Sequence, residues 1–238
     1  ELQGVMGKYF AIEQGFTEDI SFAISDHYLP IGINSDVPKK PISAAVAVID
    51  KIDILVGFFG INEKPTSSKD PYALRRMAIS LLRLIIENQK KIKLRDLINY
   101  SINLYKEQNY SFDSKLINDE LGDFILERLK NYLKEKNIRS DIIECSTNSH
   151  GIDDLVKIFN KSLNLNKNIK KDFGLDVIAI YKRSANILNS ESKSKLEIVG
   201  SADPGLFKND YEKNLYKKIH AIRKYFSSIG REEDYDQS

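Results

Sequence analysis

His27, Asp50 and Asp53 come nearest, in type and spacing, to a metal site. Imidazole and carboxylate can ligate a divalent ion, and aspartates three residues apart lie near one face of a helix. Lys69, Arg75 and Arg76 suggest a second chemistry. They border a loop ending Lys69-Asp70-Pro71, just before a run of helical periodicity, and cations beside a helix start suit phosphate. The third is nucleic-acid contact. Residues 157–195 hold nine Lys or Arg against three acids, and residues 208–224 hold six against two. Lys182, Arg183 and Asn186 fall on one side of a helix whose other side holds Val177, Ile178, Tyr181 and Leu188. Residues 208–224 repeat the basic pattern with Lys208, Lys213, Lys217, Lys218, Arg223 and Lys224. Basic faces of this kind follow a phosphate backbone.

Each group also has a structural reading. The aspartates can be salt-bridged, Arg75 or Arg76 can pair with Asp50, Asp53 or Asp70, and basic stripes can be solvated faces. Cys145, His150 and His220 lack metal-ligand spacing. There is no nucleophile motif and no Gly-rich phosphate loop, so no ATP site is readable.

The elements that position these residues are helical. Pro41 can open a helix, because its missing N–H falls where no intrahelical partner exists. Ala45, Val48, Ile49, Ile52, Leu55, Val56 and Phe59 then recur at helical spacing. Val46, Ala47, Ile54 and Gly57 make the other sides apolar too, which predicts a helix deep in a core with Asp50 and Asp53 inside it. Asp70 is expected to cap the next helix, with Pro71 at its first position. Leu74, Met77, Ala78, Leu81, Leu82 and Ile85 form its apolar stripe, and Arg75, Arg76 and Arg83 lie off it. Thr17 can cap a helix opening with Glu18 and Asp19.

Further helices are expected over Ile92–Lys106, from Ile117 through Leu133, and over Ser140–Cys145, Asp153–Leu163, Asp172–Leu188 and Leu206–Phe226. Asn189–Gly205 reads as a Ser/Lys-rich loop. No alternating strand pattern stands out, so the chain reads all-α. The chain turns polar and aromatic at 106–114, which places the expected domain boundary near Leu94–Ser111.

The 238 residues are 42% hydrophobic and 29% charged, with a net charge of +2. That is enough for a real core and ordinary for a globular protein. There is no apolar run long enough to span a membrane and no signal peptide is apparent. The single cysteine precludes an internal disulfide and fits a reducing compartment. Glu1-Leu-Gln-Gly reads as the middle of an element and the end trails off in Glu, Asp and Ser, so a fragment is expected.

Four stretches, ELQGVMGKYFA (1–11), DHYLP (26–30), IDKIDILVGFFGI (49–61) and PTSSKDPYALRR (65–76), resemble the beta subunit of bacterial-type glycyl-tRNA synthetase. FILERLKNYLKE (124–135) and YKRSANIL (181–188) extend the resemblance; Ser67 stands where that family usually has Gly. The resemblance implies the rear of an HD-like helical bundle over 1–105 and part of a helical anticodon-binding (DALR-like) domain over 106–238. It implies a cytoplasmic α2β2 ligase in which ATP, Mg and glycine belong to the alpha subunit. The partners would be that subunit and tRNA(Gly), with no membrane.

No catalytic residue is expected on this chain. Lys182, Arg183, Asn186, Lys217, Lys218, Arg223, Lys69, Arg75 and Arg76 are the tRNA-binding candidates. His27 and Asp50 match later positions of an HD-type phosphohydrolase set, as vestiges. The alternatives are a metal-dependent phosphohydrolase remnant of that type and a purely structural helical scaffold.

Overall fold

The computed structural model of the chain describes residues 2–32, 34–148, 152–193 and 202–228. Those residues form ten α-helices and one 3₁₀ turn, with no strand among them. The all-α expectation holds. The chain divides into two compact units, residues 1–166 and 167–238.

The first unit holds α1 (Gln3–Glu13), α2 (Glu18–Asp26), α3 (Pro41–Gly60), α4 (Leu74–Glu87), α5 (Leu94–Glu107), α6 (Ser114–Glu135) and α7 (Ser140–Asn148), together with most of α8 (Leu155–Asn168). Its centre is α3, which packs against α2, α4, α5 and α6. Pro41 opens α3 as its spacing predicts. α3 is not enclosed on every side, however. Ala47, Ile52, Leu55, Val56 and Phe59 are buried, whereas Ile42, Val46, Ile49 and Asp53 are exposed. The charge held in the core is Lys51, only 2% exposed.

The second correction concerns α4. Asp70 does cap it, but the helix begins at Leu74, with Ala73 in the left-handed region at φ 56°. Pro71 therefore sits in the preceding turn, where its fixed φ is equally at home. The apolar face of α4 is wider than one stripe: Leu81, Leu82, Leu84, Ile85 and Ile86 are all buried. Arg83 is buried with them, at 7% exposure. Its Nε lies 2.6 Å from Glu87 Oε1, and its Nη1 donates to Gly32 O at 2.7 Å. Ser80 Oγ donates to Pro30 O at 2.7 Å, and Asn88 Nδ2 to Pro38 O at 3.1 Å. Polar groups on α4 and at its C-terminal end thus donate to carbonyls of the chain between α2 and α3, as buried backbone acceptors require.

The polar-aromatic stretch expected as the domain boundary connects α5 to α6, and these two helices pack on each other. Tyr105, Tyr110 and Phe112 form one ring cluster there. Asp113 caps α6, accepting from Lys115 N at 3.0 Å and Leu116 N at 3.1 Å. Division by compactness falls later, between Asn166 and Lys167.

The second unit holds α9 (Asp172–Lys193), a 3₁₀ turn (Pro204–Leu206) and α10 (Asp210–Ser228). α9 continues to Lys193, so the first residues of the expected loop Asn189–Gly205 are helical. Residues 194–201 of that loop lie outside the described residues, as does His150.

Candidate nucleic-acid interface

The carboxylate pair resolves into a structural contact. Lys51 Nζ lies 2.7 Å from Asp50 Oδ2 and donates to His27 O at 2.8 Å. His27 Nδ1 is 2.8 Å from Ile24 O, so that nitrogen carries the proton and closes the end of α2. One ammonium therefore joins Asp50 on α3 to the residue that follows α2. Asp53 is exposed and lies beside Tyr105, whose hydroxyl donates to the Asp53 backbone carbonyl at 3.3 Å. Burial, followed by the negative charge of Asp53, holds the Tyr105 pKa above its usual 10. Among the described residues no three His, Cys, Asp or Glu stand together as a metal would need.

The loop before α4 is closed from within. Thr66 N donates to Lys69 O at 2.9 Å, and Lys69 N to Thr66 Oγ1 at 3.2 Å. Asp70 accepts from Leu74 N at 2.8 Å and Arg75 N at 3.0 Å, placing its negative charge on the first free amides of α4. The Arg75 guanidinium folds back onto Thr66 O, with Nη1 3.8 Å from Asp70 Oδ2. Arg75 is thus a brace for the loop. Lys69 and Arg76 are exposed.

In the second unit Lys182, Arg183 and Asn186 are exposed on α9. The spacing of three and four residues puts them on one face. The opposite side is also open. Tyr181 is 72% exposed, and Val177 and Leu188 are exposed, where a core face is expected. Among the described residues of this unit no large side chain is fully buried, so the apolar side of α9 stays largely open. On α10, Lys217, Lys218 and Arg223 are exposed. At 100° per residue, Lys213, Lys217, His220 and Lys224 form one line and Tyr211, Leu215 and Ile222 lie opposite. Lys213 Nζ is 3.5 Å from Asp210 Oδ1. Lys182, Arg183, Lys217, Lys218 and Arg223 form no ion pair with a described residue.

Two buried cations escaped sequence reasoning. Lys51 lies between two aspartates on a helix read as apolar, which was the available signal. Arg83 had its own signal in the i, i+4 spacing to Glu87. Burial raises the Tyr132 pKa, the Glu87 charge adds to the rise, and Arg83 opposes it.

The sequence model of a family described as "Glycyl-tRNA synthetase beta subunit" matches residues 1–148. The chain is similar to proteins named "Glycine--tRNA ligase beta subunit" in several bacteria. That of Rickettsia canadensis is 37% identical over 240 residues, covering 100% of this chain and 34% of the relative. That of Cereibacter sphaeroides is 36% identical over 236 residues, covering 99% and 34%. That of Paracoccus denitrificans is 36% identical over 236 residues, covering 99% and 33%. The chain spans about a third of the length of the curated relatives it matches.

Proposed function

The chain belongs to the glycyl-tRNA synthetase beta subunit family, and from that premise we propose that it contributes tRNA-contacting surface to a glycine–tRNA ligase. The observation that carries the proposal is the set of exposed basic side chains on α9 and α10, of which Lys182, Arg183, Lys217, Lys218 and Arg223 form no ion pair with a described residue.

In this reading Lys182 and Arg183 of α9 and Lys217, Lys218 and Arg223 of α10 follow the phosphate backbone of tRNA(Gly). Such contacts set register without reading sequence. Discrimination falls to groups that reach bases. Asn186 can hydrogen-bond a base edge, and the open ring of Tyr181 can stack on an unpaired base. Lys69 and Arg76 offer a further backbone contact, with Arg75 holding their loop in shape.

ATP, Mg and glycine are handled by an alpha subunit in an α2β2 assembly, in the cytoplasm. Residues 1–105 form the rear of an HD-like bundle and residues 106–238 part of an anticodon-binding domain. Asp50 serves the Lys51 contact, so His27 and Asp50 are structural in this account.

A titration with tRNA(Gly) at about 50 and about 200 mM salt tests the reading, since each phosphate neutralised releases counterions. Affinity is expected to fall steeply, linearly in the logarithm of salt concentration. Binding absent at both concentrations, or insensitive to salt, contradicts it. The chain alone is expected to give no glycine-dependent ATP–pyrophosphate exchange, and exchange by the purified chain would overturn the assignment of that chemistry to another polypeptide.

A further inference from the structure

The first unit carries a cluster of cations that the basic faces of α9 and α10 do not explain. The connection from α4 to α5 reads Lys90-Lys91-Ile92-Lys93-Leu94-Arg95, four cations in six residues. Lys91, Ile92 and Lys93 form one wall of a cavity of about 310 Å³, and Asp153, Asp154 and Lys157 form the other. The walls are tied together. Asn160 Nδ2 donates to Gln89 Oε1 at 3.3 Å, and Asp153 Oδ1 lies 3.4 Å from Arg95 N and 3.8 Å from Arg95 Nε.

We propose that this cavity between the starts of α5 and α8 is a phosphodiester-binding site for RNA backbone, separate from the basic faces of α9 and α10. The inference rests on the reading of this chain as tRNA-binding.

The chemistry of the lining selects the ligand. Three ammonium groups disfavour a metal ion, and Ile92 is the one apolar lining residue, which disfavours an apolar ligand. The two carboxylates are directed at backbone amides. Asp154 Oδ1 accepts from Lys157 N at 2.8 Å, within the first turn of α8, and Asp153 Oδ1 faces the first turn of α5. Each carboxylate is therefore partly neutralised by the positive end of a helix. With Arg95 counted, four cations face two acids, and the side chains of Lys91 and Lys93 bond no described residue. Exposed ammonium groups over an open cleft suit a polyanion that brings several phosphates at once, and the release of counterions favours RNA over a free monoanion.

The test uses the 238-residue chain, with Lys91→Ala/Lys93→Ala compared with the unsubstituted protein and with Lys182→Ala/Arg183→Ala. All are titrated with tRNA(Gly) at two salt concentrations, and thermal melts confirm the fold. The expected result for Lys91→Ala/Lys93→Ala is a several-fold loss of affinity, a salt slope shallower by about one to two units and an unchanged melt. In a variant that combines Lys91→Ala/Lys93→Ala with Lys182→Ala/Arg183→Ala, the further loss should be of similar size, because separate contacts add.

Affinity and slope unchanged in Lys91→Ala/Lys93→Ala, while Lys182→Ala/Arg183→Ala weakens binding, overturns the cavity and leaves the tRNA reading standing. No tRNA binding by the unsubstituted chain overturns both. Inorganic phosphate that saturates the NMR shifts of residues 91–93 without any effect of the substitutions on tRNA affinity makes this a free-anion site, which also contradicts the proposal.

Discussion

Lys51 Nζ stands 2.7 Å from Asp50 Oδ2, although the two residues are adjacent on α3 and leave the helix in directions about 100° apart. The Lys51 stem lies in the core, and its head finds Asp50 and the His27 carbonyl. The side chain of Asp50 is 32% exposed, so water supports its charge while the ammonium depends on it. This contact holds the end of α2 to the middle of α3. It gives Asp50 a role that requires no metal.

Removing only the acid leaves the buried cation with one neutral acceptor. Asp50→Ala is therefore expected to lower unfolding free energy by about 1–3 kcal/mol. Lys51→Met keeps the stem and removes the charge, so its cost should be smaller or reversed in sign. Urea unfolding of both variants checks this. Asp50→Ala equal in stability to the unsubstituted protein would mean that Lys51 does not rely on it.

Gly4 marks a close approach of α1 to α2. A Cβ there would lie 2.6 Å from Ser25 O, a backbone atom of α2 that cannot rotate away. Gly4→Ala should force the helices apart and cost about 1–3 kcal/mol despite the better helix propensity of alanine. Hydrogen exchange should show faster opening of α1 while α4 keeps its protection. Unchanged exchange in α1 would contradict the close packing.

Much of this architecture was legible because the apolar spacing in the interior is regular. Asp70 with Leu74, Ala78, Leu81 and Ile85 announced α4, and Pro41 announced α3. The misread features share a physical cause. Periodicity reports which side of a helix is apolar and says little about what covers it. Ile49 and Tyr181 sit on apolar sides that no described element covers. Lys51 and Arg83 are long enough to bury a stem and carry their charge to a distant carbonyl, so their partners at His27 and Gly32 could not be found from local spacing. The exposure of Lys182, Arg183, Lys217, Lys218 and Arg223 was readable, because charged side chains on a helix seek water.

Tyr132 is buried, and its folded-state pKa is raised above 10, chiefly by burial and then by the Glu87 charge. Above a pH of about 10 the unfolded chain loses this proton while the folded one keeps it, so stability falls as pH rises towards and through the folded value. Melting temperature is expected to drop across that window. Tyr132→Phe, which keeps the ring stacked on Phe159, should flatten the drop; Tyr105, raised in the same direction, accounts for part of what remains. Identical pH profiles for Tyr132→Phe and the unsubstituted chain would contradict the assignment.

The central claim is that tRNA runs over the exposed basic face of α9, and the most direct measurement is the affinity of Lys182→Ala/Arg183→Ala for tRNA(Gly) and for an unrelated tRNA, each across a salt series. Both side chains are exposed, so the fold should be little changed. The account predicts weaker binding to both RNAs by similar factors, with a salt slope shallower by about one to two units, because lost phosphate contacts carry no sequence preference. Affinity and slope both equal to those of the unsubstituted chain would contradict it and leave that face of α9 as solvated surface.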